Sequence, residues 1–275
     1  MTSSVMQLTV LGSGTGIPML NRHAAGYLLE PGSGLRFLVD CGSATLLQLE
    51  AVGKRYHTLD ALFITHTHAD HIGDLIPLLH ACHGLEHDPN NRRTKPLPIF
   101  GPPGFRAFFD QVVLPVTGMP RGFDLSVHEV LPVQDVCGVT VTTARTVHSS
   151  RFASVAYGFA CNGCKVVLSG DCDWQRDDIA DRHVLQLAQG ADLLVLDCST
   201  IDEEKVDGHL SAGLCGKIAE QAAARALLLS HLYPVARVTD DPEALRMAQA
   251  RRHYTGALYL AHDLMTLEIQ GDSAS

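Results

Sequence analysis

Short apolar runs alternate along this chain with turn signals and with longer stretches of helical pattern. Residues 7–11, 26–29, 35–39 and 59–64 are compact apolar runs with the length and composition of buried strands. Residues 139–147, 165–170, 191–196, 226–230, 257–260 and 265–269 repeat that character in the second part of the chain. Helical pattern falls between them, at 44–51, 75–84, 105–114, 212–224 and 242–253, so strands and helices interleave as in an α/β protein. Pro31-Gly32-Ser33-Gly34 marks a turn. Asn162-Gly163 between two strand patterns is the signal of a two-residue hairpin flanked by Cys161 and Cys164. A Pro- and Gly-marked passage at 115–122 separates two halves of similar β-rich order, roughly 1–118 and 119–275, within one expected domain spanning 1–275.

Chemistry concentrates directly after the run at 59–64. His66, His68, Asp70 and His71 lie within six residues. His66 and His68, two apart in extended chain, point the same way and can grip one cation, while Asp70 and His71 are offset enough to reach a second. A polar loop with chance histidines rarely has this density next to a strand end.

The pattern His66-x-His68-x-Asp70-His71 resembles the signature of the metallo-β-lactamase superfamily of metal-dependent hydrolases, and the resemblance extends over nearly the whole chain. It implies a four-layer αββα sandwich, two mixed sheets flanked by helices, with a dinuclear metal centre along one edge. The metals are expected to be zinc, with manganese or iron as alternatives. His148, Asp171 and His231 each follow a β-run, as the signature does, so a sandwich would bring all four strand ends to one edge. The resemblance then implies that His66, His68 and His148 hold one metal, that Asp70, His71 and His231 hold the other, and that Asp171 bridges them. Asp40, at the end of the run 35–39, is expected to orient ligands from beneath the site, the alternative being a cap on the helix near 44–51.

Within the superfamily, Gly12-Ser13-Gly14-Thr15-Gly16-Ile17-Pro18 with Asn21-Arg22-His23, and Gly208-His209-Leu210-Ser211 ahead of a helix, look like motifs of the ribonuclease Z-like phosphodiesterases. In that branch the residue matching His209 contacts the scissile phosphate and assists the leaving oxygen. Asp197 matches an acidic position of the branch, while Cys198-Ser199-Thr200 depart from its usual sequence. Ser211 is the expected amino-terminal cap of the following helix. The reaction implied is attack on a phosphodiester by a hydroxide held between two metals, with Asp70 orienting the water and His209 serving the departing oxygen.

Composition narrows the substrate. The 30 acidic residues outnumber 21 basic ones, for a net charge of −9, whereas a protein gripping long nucleic acid normally carries excess Lys and Arg. Only positions 149–170 separate His148 from Asp171, and a strand pair fills them, leaving no room for the tRNA-gripping arm of ribonuclease Z. Leu232-Tyr233-Pro234-Val235 also lacks the Ser and Arg usual after the matching histidine. A small phosphodiester of the cyclic nucleotide or cyclic ribose phosphate type is therefore expected ahead of RNA 3′ ends. A thioester or lactone hydrolase of the same fold, and a non-catalytic sensor, are the alternatives. The start of the chain has no secretory signal and no apolar run spans a bilayer, so a cytoplasmic protein is expected. A homodimer would fit the branch, eight scattered cysteines read as reduced thiols, and His80, His83 and His87 read as solvated or rim residues.

Overall fold

A computed structural model describes residues 5–84, 92–174, 179–235 and 241–271. Among the described residues fourteen strands form two sheets of seven. In chain order they are β1 (Val5–Gly12), β2 (Gly26–Glu30), β3 (Phe37–Val39), β4 (Ala61–Phe63), β5 (Leu97–Gly101), β6 (Leu125–Glu129) and β7 (Val133–Val136). Then follow β8 (Val139–Arg145), β9 (Val155–Cys161), β10 (Cys164–Leu168), β11 (Leu193–Asp197), β12 (Ala226–Ser230), β13 (Ala257–Leu260) and β14 (Thr266–Gln270). The α-helices of the described residues are α1 (Thr45–Ala51), α2 (Ala69–Ile72), α3 (Leu75–Gly84), α4 (Phe105–Phe108), α5 (Leu114–Thr117), α6 (Ile179–Ala188), α7 (Ala212–Gln221) and α8 (Pro242–Arg251).

The first sheet has the order β14-β1-β2-β3-β4-β5-β6 and the second β13-β12-β11-β10-β9-β8-β7. Each is antiparallel on one side and parallel on the other, through β3-β4-β5-β6 in the first and β10-β11-β12-β13 in the second. The final two strands do not both close the second leaf: β13 lies at its edge, but β14 returns to pair with β1 in the first sheet. Nor do the leaves part at residue 118, because β6 also belongs to the first sheet.

Strands covered on both faces need apolar residues on both, which is why the central runs are almost continuously hydrophobic. Phe37 and Val39 of β3 enter the core between the sheets, while Leu38 faces the outer layer with Leu75, Leu78 and Leu79 of α3. In β12, Leu228 faces inward and Leu227 and Leu229 pack with α7 residues such as Ile218. Rings of both sheets interlock at the centre, Phe63 meeting Phe100 at 5.1 Å and Phe159 at 5.0 Å between centroids. Helix, sheet, sheet and helix are the four layers expected. The hairpin at Asn162-Gly163 also forms, both residues adopting positive φ and Cys161 pairing with Cys164. Among the described residues no helix is long and apolar enough to cross a membrane.

Parallel strands point their carboxyl ends the same way, and β8, antiparallel to β9, which is itself antiparallel to β10, points with them. The loops leaving β3, β4, β8, β10, β11 and β12 therefore open on one edge of the sandwich, where irregular backbone can aim side chains at a ligand.

Candidate metal centre

Among the described residues two groups of ligand atoms meet at that edge, beside a third set, Asp171, Asp197, His209 and His231, that overlaps both. In the first, His68 Nδ1 lies 3.0 Å from His66 Nε2 and 3.0 Å from His148 Nε2. Asp171 Oδ2 completes it, 3.6 Å from His66 Nε2 and 3.5 Å from His148 Nε2. In the second, His231 Nε2 stands 3.3 Å from His71 Nε2, 3.4 Å from Asp70 Oδ2 and 3.3 Å from Asp171 Oδ1. His71 Nε2 is 3.2 Å from the same Asp171 oxygen. Asp171 thus offers one oxygen to each group. All seven side chains named from the sequence converge.

These spacings can be compared with what a cation requires. A tetrahedral ion with bonds of about 2.0–2.1 Å keeps its ligands about 3.3–3.4 Å apart, and the spacings of 3.0–3.6 Å found here bracket that value. Asp171 Oδ1 is buried and accepts no hydrogen bond among the described residues, although a buried carboxylate oxygen without a partner is costly. Nitrogen and carboxylate donors in these numbers suit borderline divalent metals. The residues present fit a pair of cations, one at each group.

Two buried carboxylates aim the imidazoles. Asp40 follows β3 with φ 58°, accepts the Thr65 backbone N–H at 2.8 Å, and takes the Nδ1–H of His71 at 2.7 Å. The Thr65 hydroxyl donates to Asp40 at 2.9 Å and receives Nδ1–H of His66 at 3.1 Å, so one carboxylate orients a histidine of each group. Asp40 does not cap α1, whose Leu46 N–H is instead accepted by Asp74 at 2.9 Å.

Asp197, closing β11, repeats the device in the second sheet. It accepts Nδ1–H of His209 at 2.8 Å and the Ser199 hydroxyl at 2.5 Å, and Ser199 in turn receives Nδ1–H of His231 at 3.0 Å. With Nδ1 engaged by Asp197, the other ring nitrogen of His209 is left for a ligand. The His148 ring is set by the Gly208 carbonyl at 2.7 Å, and the turn into Asp171 needs Gly170, because at φ 58° an added Cβ would lie 2.6 Å from that of Thr65. His231 itself sits at φ 56°, a strained conformation for histidine that the surrounding bonds hold in place.

Charge follows the same layout. Burial pushes the pKa of His66 down, as does the neighbouring His71, so its nitrogen lone pair stays available. Burial would lower His71 and His231 too, but Asp171 with Asp40 or Asp197 outweighs it, raising His71 well above its ordinary value and His231 to about 10. Burial would raise Asp171, and the surrounding imidazoles His231, His71 and His66 instead hold it well below the usual carboxylate range. Four acidic side chains around these imidazoles, Asp40, Asp70, Asp171 and Asp197, call for positive charge, from protons or from metal.

A β-lactamase superfamily domain profile matches residues 35–232. The ribonuclease Z of Mycobacterium avium (strain 104) is 30% identical over 292 residues, spanning 98% of this chain and 100% of that protein. Among solved structures, the metallo-β-lactamase fold protein YhfI from Bacillus subtilis has a TM-score of 0.79 at 26% identity, with 96% of this chain and 99% of that one covered. The short form of human tRNase Z has a TM-score of 0.74 at 24% identity, covering 96% and 99%. The chain belongs to the metallo-β-lactamase superfamily, on its ribonuclease Z-like branch. It is a metal-dependent hydrolase.

For this superfamily member the sequence reading missed residues that act through others. Thr65 and Ser199, the two hydroxyl relays, carry no motif of their own; Ser199 drew notice only as a departure from the branch's usual sequence. Phe152, whose ring centroid is 4.6 Å from that of His68, and Tyr233, 5.6 Å from His209, wall the site on opposite sides and were not singled out for it. Ser211 stands at the start of α7 but its side chain makes no cap; Asp202 accepts the Gly213 N–H at 2.8 Å instead. His80 is exposed on α3, the side chain of His83 is not described, and His87 lies outside the described residues.

Proposed function

We propose that this hydrolase cleaves a phosphodiester, with two divalent ions, zinc first, held by His66, His68, His148 and Asp171 and by Asp70, His71, His231 and Asp171. The observation that carries the reading is His209, fixed by Asp197 at 2.8 Å, with its ring nitrogen Nδ1 3.9 Å from the Asp171 oxygen that serves the first group. An acyl substrate needs its developing oxyanion stabilised; a phosphodiester with a poor leaving alkoxide gains in addition from a proton donor to that oxygen, and a histidine held beside the first ligand group supports this role for His209. Burial alone would lower its pKa, but the hydrogen bond and charge of Asp197 raise it, keeping the imidazole able to donate. Bound divalent ions supply positive charge to the phosphoryl oxygens and make water acidic enough to react near neutral pH. Asp70, held ionised by His231 and His71 against the upward pull of burial, accepts a proton from the attacking water or orients it.

A small diester is the proposed substrate class. Between His148 and Asp171 the chain spends its length on β9, a two-residue turn and β10, and the net charge is −9. The ribonuclease Z relatives support a second reading, cleavage at RNA 3′ ends: the Mycobacterium avium protein aligns in full within 292 residues, so that name is carried by a chain of similar length. Zinc- or manganese-supplemented protein should hydrolyse bis(p-nitrophenyl) phosphate and 2′,3′-cyclic nucleotides, with little activity on an acyl thioester or a precursor tRNA. Thioester cleavage without diester cleavage would replace the reading with the acyl one. Precise trimming of precursor tRNA would establish the RNA substrate, and metal-loaded protein inert toward all of them would return the sensor reading.

A further inference from the structure

Beside the second ligand group lies a pocket of about 250 Å³ between the glycine-rich loop after β1 and the start of α1, lined by Thr15, Ile17, Pro18, His23, Ser43 and Asp70 among others. Its floor is part of the candidate metal centre. A Cβ on Gly16 would rest 3.5 Å from Asp70 Oδ2, the oxygen that stands 3.4 Å from His231 Nε2. A group entering here would lie directly against whatever occupies the centre. The volume is just under the usual range for small-molecule sites, enough for one ring-sized group and too small for an oligonucleotide.

The pocket wall is built with care on its polar side. Asp263, in the loop between β13 and β14, accepts Ser13 N–H at 2.8 Å, Ser13 Oγ–H at 2.7 Å, His23 N–H at 2.8 Å and His23 Nδ1–H at 2.7 Å. Gln48 of α1 donates to the same carboxylate at 3.3 Å. Arg22 locks the loop from behind, donating to the Ala261 carbonyl at 2.6 Å and pairing with Glu243. Nδ1 of His23 faces the Asp263 carboxylate at 2.7 Å, with Gln48 Nε2 3.1 Å away, so Nε2 is the ring nitrogen left to bond a ligand, and the side chain is 36% exposed. The hydrolytic machinery described above uses neither residue.

We propose that this pocket is a specificity subsite for one ester group of the substrate, and that the group is a nucleoside whose base lies between Ile17 and Pro18 and the helix start, donating an N–H to His23 Nε2. The proposal rests on the phosphodiesterase reading and sharpens it to nucleotide esters. Asp263 is a positioning residue for His23.

The test compares two diesters with one leaving group, the p-nitrophenyl esters of adenosine 5′-monophosphate and of methyl phosphate. His23→Ala should lower kcat/KM for the adenosine ester roughly three- to tenfold through KM, the worth of one hydrogen bond, and leave the methyl ester within twofold. The loop should survive, because the backbone N–H of residue 23 still bonds Asp263. His23→Gln, which keeps an acceptor, should retain most of the preference. Equal losses on both substrates, no change on either, or equal losses from the Ala and Gln variants would overturn the subsite. Calorimetric binding of adenosine 5′-monophosphate and of inorganic phosphate to metal-loaded protein reads the pocket without turnover. If wild-type protein cleaves neither diester, the phosphodiesterase reading fails. A preference for the nucleotide that His23→Ala removes would still uphold the pocket, and equal affinity for nucleotide and phosphate would overturn it.

Discussion

Replacing Asp40 by Asn removes one charge from a side chain that touches neither the proposed metals nor substrate, yet both ligand groups should weaken. Asp40 is 1% exposed and accepts three hydrogen bonds, from Thr65 N, Thr65 Oγ1 and His71 Nδ1, at 2.8, 2.9 and 2.7 Å. An amide offers one acceptor oxygen, and its NH₂ must then face a donor. At least one hydrogen bond to a charged group is lost, worth roughly 1.5–3 kcal/mol, and the partner N–H is left buried without an acceptor. Loss of such an orienting partner typically lowers metal affinity by roughly 10- to 100-fold. His66 should suffer with His71, because Thr65 links it to the same carboxylate. The affinity is read by competition with a chromogenic chelator, and thermal unfolding with and without excess metal separates loss of binding from damage to the scaffold. Each tenfold loss of affinity removes about 1.4 kcal/mol of the stability that saturating metal confers. Affinity within twofold of wild type would refute the role assigned to Asp40.

Further outcomes follow from the same structure. His209→Ala should lower turnover on a phosphodiester by about 10²- to 10⁴-fold while bound metal, measured by elemental analysis, is unchanged; undiminished turnover would remove His209 from the reaction. Asp171→Ala takes an oxygen from both groups and should lose most of the metal, whereas Ser199→Ala, which frees the His231 ring but leaves His209 on Asp197, should weaken the second group alone in a metal titration. Phe159→Ala opens the ring cluster between the sheets and should cost about 3–5 kcal/mol in denaturant unfolding. A thiol reagent applied to native protein should label Cys137, which is exposed, well before the buried Cys41, Cys172, Cys198 and Cys215.

Much of the centre was legible because its ligands carry a density of chemistry that chance seldom produces, and because each follows a strand. Period and apolar run length located β4, β8, β10 and β12, and the loops after them hold the candidate ligands. What could not be read was pairing at long range. β13 and β14 look alike as runs, yet one closes the second sheet and the other returns to β1, a choice set by the packing of both leaves and written in neither run. The hydroxyl relays were hidden for a related reason: Thr65 and Ser199 are ordinary residues until Asp40 and Asp197 are brought beside them. Asp263 is another such case, 240 positions from His23 in sequence and 2.7 Å away in the fold.

Anomalous X-ray scattering from crystals of metal-loaded protein puts the arrangement to its most direct test. Two peaks are expected, one among His66, His68 and His148 and the other among Asp70, His71 and His231, with Asp171 between them. A single peak, or metal bound away from Asp171, would contradict a two-cation centre and the phosphodiester chemistry proposed for it.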